Sequence, residues 1–312
     1  MDQHLTLYLD PPALARLNAG QHNFFQRVIG AVESVGWTVS VEESTLNARL
    51  EAPEKKGYAL YHMEEPTHDR ALTCRRSYTG AYWHVEAQAA RWEWPVAHKK
   101  FPARKIDTQA AKTFYRALRE KVLGKDKVTD EGFALMPLQG RLSEHRSFQS
   151  MSPMEMIETV MVRVTQPVIA TLHPNEDYTP AERQMLVALA NRYPHFSVQE
   201  GGTPELLRRC SYVITQNSSV AFEGYILRKP ALLFAQVDFH HIAGSVPHMG
   251  LDAALEMLAK RQNFAKYLTW FLRDQALNAA RPEFEARLLA HLHAKGWPVP
   301  EADIDIPTPI AS

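Results

Sequence analysis

Two short polar motifs in the second half of this 312-residue chain have the residue types that bind a phosphate group. His173 follows the apolar run 167–172, and the Asn-Ser-Ser segment 217–219 follows the run 212–215. Both runs are short and largely apolar, which predicts buried strands of a parallel sheet. Because ligands of open parallel sheets bind at the carboxyl ends of the strands, we expect the two motifs to form one anion site.

The chemistry expected of these motifs is hydrogen bonding to an anion. The proline after His173 keeps the backbone extended, so the imidazole is presented at the strand end. Asn217, Ser218 and Ser219 lie where a helix is predicted to begin, and the free N–H groups and positive dipole end of a helix attract anions. Each motif also has a structural alternative, as a cap of its own loop or helix.

Two other residues extend this predicted site. Gln139 follows the predicted strand 133–136 at the same sheet edge, where it would contact the ligand or bond to its own loop. Glu223 lies about one turn inside the helix that follows the Asn-Ser-Ser segment. Its carboxylate would accept a hydrogen bond from a ribose hydroxyl or face the solvent.

The first half contains acidic residues suited to general acid or base catalysis. Glu64, Glu65 and Asp69 follow the predicted strand 58–61 and are candidates by position. Histidines in the same segment lack the cysteine partners and the HExxH spacing of zinc sites, so no metal is predicted. The chain also has no Walker loop, GxGxxG fingerprint or GxSxG elbow, which argues against P-loop NTPases, Rossmann dehydrogenases and α/β-hydrolases.

The elements that position these residues alternate between strands and helices, which predicts an α/β fold with parallel, doubly wound sheets. The predicted strands are 5–9, 38–41, 58–61, 133–136, 168–172, 196–198, 212–215 and 231–234. The predicted helices are 23–35, 108–122, 153–164, 180–192, 204–209, 220–227, 253–260, 264–274 and 282–295.

The charged segment 124–132 is the predicted linker between two α/β halves. We therefore expect domains at 1–130, 131–250 and 251–312, the last consisting of helices and an extended tail from residue 297. The stretch 62–102 has little periodicity and is expected to form a long loop or loop-helix region. A cleft between the two halves would be a common location for a small-molecule site.

Composition and charge exclude several classes of protein. With 45% apolar and 22% charged residues, the chain is typical of a globular protein. Its 35 basic and 35 acidic residues balance, so we expect no nucleic acid bound over a broad surface. Cys74 and Cys210 form no CxxC pair, which indicates a reducing compartment. The first residues resemble neither a signal peptide nor a membrane span, so we expect a cytoplasmic protein, with peripheral attachment to the inner membrane left open.

The segment 133–241 resembles the bacterial capsule polysaccharide biosynthesis family, whose members transfer Kdo from CMP-Kdo on a GT-B scaffold. The similarity lies in four elements at successive strand ends, which are Pro137-Leu138-Gln139, the helix led by Ser152-Pro153, His173-Pro174, and Asn217-Ser218-Ser219 with Glu223. Bacterial sialyltransferases that use CMP-sugars look similar in pairing an HP element with a double hydroxyl. The resemblance implies that His173, Ser218 and Ser219 hold the nucleotide phosphate and cytidine.

This resemblance implies a GT-B-like glycosyltransferase with two Rossmann-like domains facing a cleft. The domain 131–250 would bind a CMP-sugar, and the domain 1–130 would present a glycan acceptor, with Glu64, Glu65 or Asp69 as base or nucleophile. The donor is a substrate, and no cofactor or diphosphate-chelating metal is expected. Two alternatives stay open, namely a transferase that uses a UDP- or GDP-sugar, and a catalytically silent relative that binds glycan or scaffolds capsule assembly proteins.

Overall fold

The computed structural model describes residues 2–301 and shows two α/β units. The first unit contains the chain up to Lys99 together with the segment from Trp270 onward. The second unit is the continuous segment Lys100–Thr269. Residues 302–312, the last part of the predicted extended tail, lie outside the described residues.

The strands are short and most of them are buried. In chain order they are β1 (His4–Leu9), β2 (Thr38–Glu43), β3 (Tyr58–His62), β4 (Ala71–Arg76), β5 (Tyr82–Glu86), β6 (Ala134–Leu138), β7 (Val168–Leu172), β8 (Phe196–Glu200), β9 (Tyr212–Thr215), β10 (Ala231–Leu233), β11 (Gly244–Ser245) and β12 (Leu277–Asn278).

The helices lie between these strands and after them. They are α1 (Pro11–Asn18), α2 (Asn23–Glu33), α3 (Leu46–Glu51), α4 (Pro95–His98), α5 (Thr108–Leu123), α6 (Pro153–Met161), α7 (Pro180–Arg192), α8 (Thr203–Arg209), α9 (Ser219–Ile226), α10 (Val246–Met249), α11 (Leu251–Ala259), α12 (Phe264–Leu268) and α13 (Phe284–Ala294), with a π-helical turn at Thr269–Asp274.

The sheet of the first unit has the order β12-β5-β4-β3-β1-β2. Strands β1 to β4 are parallel, whereas β5 and β12 extend one edge in antiparallel pairing. Helix α2 buries Phe24, Phe25 and Val28 in the core of this unit. Helix α13 packs against α2, and the rings of Phe284 and Phe24 lie 5.7 Å apart. The end of the chain therefore completes the core that the first residues begin.

The sheet of the second unit has the order β11-β10-β9-β6-β7-β8, and every neighbouring pair is parallel. Numbered from its own first strand, this is the 3-2-1-4-5-6 order of doubly wound nucleotide-binding sheets. The order reverses between β6 and β9. In such sheets the crevice outside the carboxyl ends of these two strands is the usual ligand position.

The predicted α/β class with parallel-dominated sheets is confirmed. The expectation of a long loop or loop-helix region at 62–102 is wrong where that stretch forms β4 and β5. Both strands bury polar residues, among them Thr73, His84 and Glu86, which removes the apolar signal of a strand.

The two units divide the chain at positions other than the predicted domain limits of 130 and 250. Helix α5 packs against α9 and α12, so the chain from Lys100 belongs to the second unit. The predicted C-terminal group of helices is divided, since α11 and α12 lie in the second unit and α13 lies in the first. The predicted cleft between the halves stays a prediction.

Two further features bear on the surroundings of the protein. Cys74 and Cys210 are free and buried, and burial raises the pKa of both thiols. Over residues 2–301, none of the helices combines the length and the apolar character needed to span a membrane.

Candidate functional site

The predicted anion-binding residues lie at the carboxyl edge of the second sheet. Gln139 follows β6, His173 follows β7, and Ser218 lies three residues beyond β9. Because β6 pairs with both β7 and β9, the ends of those two strands are separated by about 10 Å, which is two strand spacings. The three residues therefore flank the point where the strand order reverses.

A recess lies at this point. Its lining includes Gln139, Arg146, Thr215 and Gln216, together with the first turn of α6. The hydroxyl of Thr215 donates a 3.2 Å hydrogen bond to the carbonyl oxygen of Pro137, which ties the ends of β9 and β6 together. The strand ends and the loop after β6 thus place two amide side chains and one guanidinium around the same small space.

Gln216 has an unsatisfied acceptor in this recess. The residue is 4% exposed, and its Nε2 donates a 3.1 Å hydrogen bond to the carbonyl oxygen of Met151, which fixes the orientation of the amide. Its Oε1 is buried and has no hydrogen-bond partner among residues 2–301. An unpaired buried polar atom costs about 1–3 kcal/mol, which makes this oxygen a candidate acceptor for a ligand group at the mouth of the recess.

Arg146 adds a positive charge to the recess. Its loop, between β6 and α6, crosses the strand ends and bonds to the segment after β10, since the N–H of Gln236 donates to the carbonyl oxygen of Phe148. The guanidinium lies 5.0 Å from the centroid of the Phe148 ring. Its Nε is buried and bonds to no residue of the described chain. A guanidinium with an unsatisfied donor is suited to bind phosphate or carboxylate.

His173 is exposed in a loop that its own ring stabilises. Nδ1 accepts a 3.2 Å hydrogen bond from the N–H of Asn175, which assigns the proton of the neutral ring to Nε2. The N–H of His173 donates to the hydroxyl of Tyr178 at 2.9 Å. The geometry thus shows the loop-capping role, and Nε2–H is the group that would donate to an anion.

The Asn-Ser-Ser motif begins α9 as a helix cap. Ser218 is the buried N-cap, and its hydroxyl accepts a 3.3 Å hydrogen bond from the N–H of Val220. Ser219 is exposed at the first helical position, Asn217 is half-buried, and Glu223 is exposed one turn further along. Contact of these four residues with a ligand stays a prediction.

The predicted catalytic carboxylates of the first half have separate surroundings. Glu64 forms an ion pair with Arg49, and Glu65 accepts a 2.8 Å hydrogen bond from the N–H of Ala89. Asp69 is exposed in the turn before β4. Two of the three therefore hold local structure, and their roles in catalysis stay predictions.

A different carboxylate lies at the carboxyl edge of the first sheet. Asp10 follows β1 and caps α1, where its Oδ1 accepts a 2.7 Å hydrogen bond from the N–H of Ala13. Its Oδ2 lies 3.0 Å from Nδ1 of His62, the last residue of β3. The order of the first sheet reverses between β1 and β3. Asp10 and His62 therefore lie at the reversal point of the first sheet, as the recess lies at the reversal point of the second sheet.

Aromatic rings surround His62. Its ring centroid lies 5.3 Å from that of Phe25, 5.9 Å from that of Trp83 and 6.4 Å from that of His22. Burial lowers the pKa of His62 and lowers that of His22 to about 4. Both imidazoles are therefore neutral at pH 7. The Asp10 side chain is 40% exposed and is the accessible member of the pair.

The sequence interpretation missed Asp10, Arg146 and Gln216 as site residues. The signal for Asp10 is the one that identifies His173, because it directly follows an apolar strand and precedes a proline. Gln216 likewise follows β9 directly, one position before the predicted motif. Arg146 gives no such signal, since it lies seven residues past Gln139 in a loop without periodicity.

Comparison with known structures supports the fold. The structure of Thermosulfurimonas dismutans KpsC, a beta Kdo 2,7 transferase, is similar over 93% of this chain and 99% of that chain, with a TM-score of 0.51 and 14% sequence identity. No family model matches the chain, and no curated protein matches it in sequence. The likeness to KpsC is one of fold.

Proposed function

We propose that the protein is a glycosyltransferase that uses a CMP-sugar, such as CMP-Kdo, as donor and a glycan as acceptor. The nucleotide is assigned to the second unit and the acceptor to the first. The observation that carries the proposal is the recess at the reversal point of the second sheet, where Arg146 and Gln216 have unsatisfied buried polar atoms. The fold shared with KpsC, which is named as a Kdo transferase, supports the same class of activity.

The recess itself is too small to hold a water molecule, so the proposal places the phosphate of a nucleoside monophosphate at its mouth. Arg146 supplies charge and hydrogen-bond donors, and the first turn of α9 supplies N–H groups at the positive end of its dipole. Gln216 Oε1 would accept from an N–H or O–H of the ligand. When the bond between sugar and phosphate breaks, negative charge grows on the phosphate, and these donors stabilise it. His173 Nε2–H and the hydroxyl of Ser219 are the further donors in the proposal.

The proposal includes a cytoplasmic location, because free buried thiols suit a reducing compartment. Participation in capsule or surface polysaccharide synthesis, with peripheral attachment at the inner membrane, rests on the sequence resemblance alone.

Thermal-shift measurements with CMP, UMP, UDP and GDP test the donor class. A nucleotide that binds the native state raises the unfolding midpoint. We expect the largest shift with CMP, and CMP release from CMP-Kdo above the uncatalysed background. A larger shift with UDP than with CMP would move the proposal to UDP-sugars. Absence of both nucleotide binding and turnover would reject the glycosyltransferase function.

A further inference from the structure

We propose that one face of α5 binds the surface of an anionic phospholipid membrane. This basic face consists of Lys112, Arg116 and Arg119 of α5 together with Arg228, which lies just after α9. All four residues belong to the second unit. The inference assigns a surface to the peripheral attachment included in the proposed function, and its argument is independent of the donor site.

The segment that contains α5 has an excess of positive charge. Residues 100–121 contain seven basic and two acidic side chains, whereas the whole chain has 35 of each. One of the two acidic residues, Asp107, is the N-cap of α5 and accepts a 2.6 Å hydrogen bond from the N–H of Ala110. The other is Glu120, which is exposed and forms no ion pair within the described part of the chain. The excess is therefore not neutralised inside the segment.

Lys112, Arg116 and Arg119 lie on the same side of α5. Spacings of four and three residues make them neighbours on the helix surface, and the three positions extend over about 10 Å of helix. Lys112 and Arg116 are exposed, and Arg119 is half-buried. None of the three forms an ion pair with residues 2–301. Because like charges at these spacings repel, the arrangement becomes favourable when an anionic partner neutralises it.

Arg228 extends the basic face from the end of α9. It is exposed, and its guanidinium lies 5.2 Å from the centroid of the Tyr115 ring. Burial raises the pKa of Tyr115, and the charges of Arg228 and Arg119 both oppose that shift, so both guanidinium groups lie near this tyrosine. Tyr115 is three residues after Lys112 and four before Arg119. The four cations therefore form one continuous surface.

The backbone of Arg228 shows that this charge has a local cost. Arg228 has a φ of 62°, in the left-handed region, at the position after a helix where glycine is favoured. The N–H of Lys229 donates to the carbonyl oxygen of Gly224, and that of Arg228 donates to Tyr225, which is the pattern of a Schellman motif. Arginine is less favourable than glycine in this conformation. The sequence thus places a cation where the backbone favours glycine.

The shape and composition of the basic face favour a membrane as its partner. A helix surface is convex, and cations spread over about 10 Å need a partner with several anionic groups on a broad plane. Val122, three residues after Arg119, is 42% exposed and supplies an apolar contact next to the charges. Domains that bind nucleic acid are strongly basic overall, whereas this chain has balanced charges. A membrane contacts one face only, so a basic face on a neutral protein is sufficient.

Co-sedimentation with vesicles tests the proposal. We expect the wild-type protein to bind vesicles of phosphatidylcholine and phosphatidylglycerol in equal parts, and to bind vesicles of phosphatidylcholine alone much more weakly. Lys112→Gln should weaken binding to the anionic vesicles by about fivefold, the usual contribution of one lysine near an anionic membrane. The double variant with Lys112→Gln and Arg116→Gln should weaken it by about 25-fold. Added salt should weaken wild-type binding, because it screens exposed charges.

Lys121→Gln is the matched control. Lys121 is also an exposed lysine of α5, and it lies nine residues after Lys112. Nine residues are about two and a half helical turns, so the two lysines lie on opposite sides of the helix. We expect Lys121→Gln to keep wild-type vesicle binding.

Arg228→Gly separates binding from folding. Glycine suits the left-handed backbone at this position, so we expect an unfolding midpoint equal to or above that of the wild type. Binding to the anionic vesicles should nevertheless be weaker by about fivefold, because one charge of the basic face is lost.

Three results would overturn the membrane assignment. One is wild-type binding that is absent, or equally strong on neutral and anionic vesicles. Another is an equal loss in Lys112→Gln and Lys121→Gln, which would show an effect of net charge and not of one face. The last is tighter binding to a DNA duplex than to anionic vesicles, weakened by the same substitutions, which would assign the basic face to nucleic acid.

CMP release from CMP-Kdo in the absence of vesicles distinguishes this inference from the proposed function. We expect the wild-type rate in Lys112→Gln, Lys121→Gln and Arg228→Gly, because the basic face lies outside the donor site. Loss of vesicle binding with normal CMP release would leave the glycosyltransferase function intact. A lower rate in Lys112→Gln than in Lys121→Gln would overturn the separation of the basic face from the donor site.

Discussion

The hydroxyl of Tyr178 donates a 3.1 Å hydrogen bond to the carbonyl oxygen of Leu138. The same hydroxyl accepts from the N–H of His173, so one side chain connects the ends of β6 and β7. Tyr178→Phe leaves both backbone groups without this partner, and we expect a loss of about 1–3 kcal/mol in the free energy of unfolding. Urea denaturation measures the loss.

The same variant bears on ligand binding, because Tyr178 fixes the backbone of His173. We expect a smaller CMP-induced thermal shift in Tyr178→Phe than in the wild type. Tyr193→Phe is the control, since the Tyr193 hydroxyl makes no hydrogen bond within residues 2–301. Wild-type stability and binding in Tyr178→Phe would contradict the role given to this contact.

Arg146→Met should remove most of the CMP-induced thermal shift. Methionine keeps an apolar stem beside Phe148 but loses the charged donors, and a hydrogen bond to a charged group contributes about 1.5–3 kcal/mol. That range corresponds to binding weaker by about tenfold or more. Arg192→Met is the matched control, because Arg192 also lies over an aromatic ring, 5.2 Å from the centroid of Tyr193. Equal CMP affinity in both variants would remove Arg146 from the site.

The elements of the second sheet were the most predictable from sequence. The bounds of β7, α7 and β9 agree with the predictions, because each strand is a short apolar run and α7 begins with a proline after a threonine cap. The first sheet was harder. Strand β12 has two residues and exists only through its pairing with β5, which lies far away in the chain.

The residues of the candidate sites also divide into those that a local sequence pattern reveals and those that depend on the tertiary fold. The N-cap of α9 was predictable because capping is local, and Ser218 and its partner Val220 are two residues apart. The contact between Asp10 and His62 depends on the parallel pairing of β1 and β3, whose register no local pattern reports. The burial of Arg146 likewise depends on contacts of its loop with the segment after β10, which no local sequence pattern reports.

Acid should destabilise the first unit through His84. This residue is 2% exposed, and burial lowers its pKa to about 3. Between an ordinary histidine pKa of about 6.5 and this value, the unfolded chain binds a proton that the folded protein excludes, so stability is complete above pH 6.5 and falls as the pH falls. The expected slope from this group is about 1.4 kcal/mol per pH unit.

Urea denaturation at a series of pH values measures this dependence. His84→Phe removes the titrating group and keeps a ring beside Trp94, whose centroid lies 4.8 Å away. We expect a shallower loss of stability between pH 6.5 and pH 4 in this variant. An identical slope in the two proteins would show that His84 takes up its proton in the folded state.

Gly244→Ala should destabilise the second unit. A Cβ at Gly244 would lie 2.0 Å from the carbonyl oxygen of Ala254, a backbone atom of α11, so β11 and α11 would have to separate. Overpacking of this kind costs about 1–3 kcal/mol or more. Gly30→Ala is the matched control, because a Cβ there meets nothing within 4 Å and lies inside α2. We expect it to stabilise by about 0.5–1 kcal/mol. Equal denaturation midpoints in the two variants would contradict the close approach.

The first unit is interrupted by the second, and this determines the order in which the protein matures during translation. Residues 100–269 leave the ribosome before β12 and α13. The apolar face of α2 therefore stays uncovered by Phe284 while the whole second unit is synthesised. The second unit is continuous and completes its sheet as soon as its own residues have emerged. A chain that is truncated after residue 269 but before α13 therefore has one finished unit and one exposed core, which makes it a substrate for chaperones and proteases.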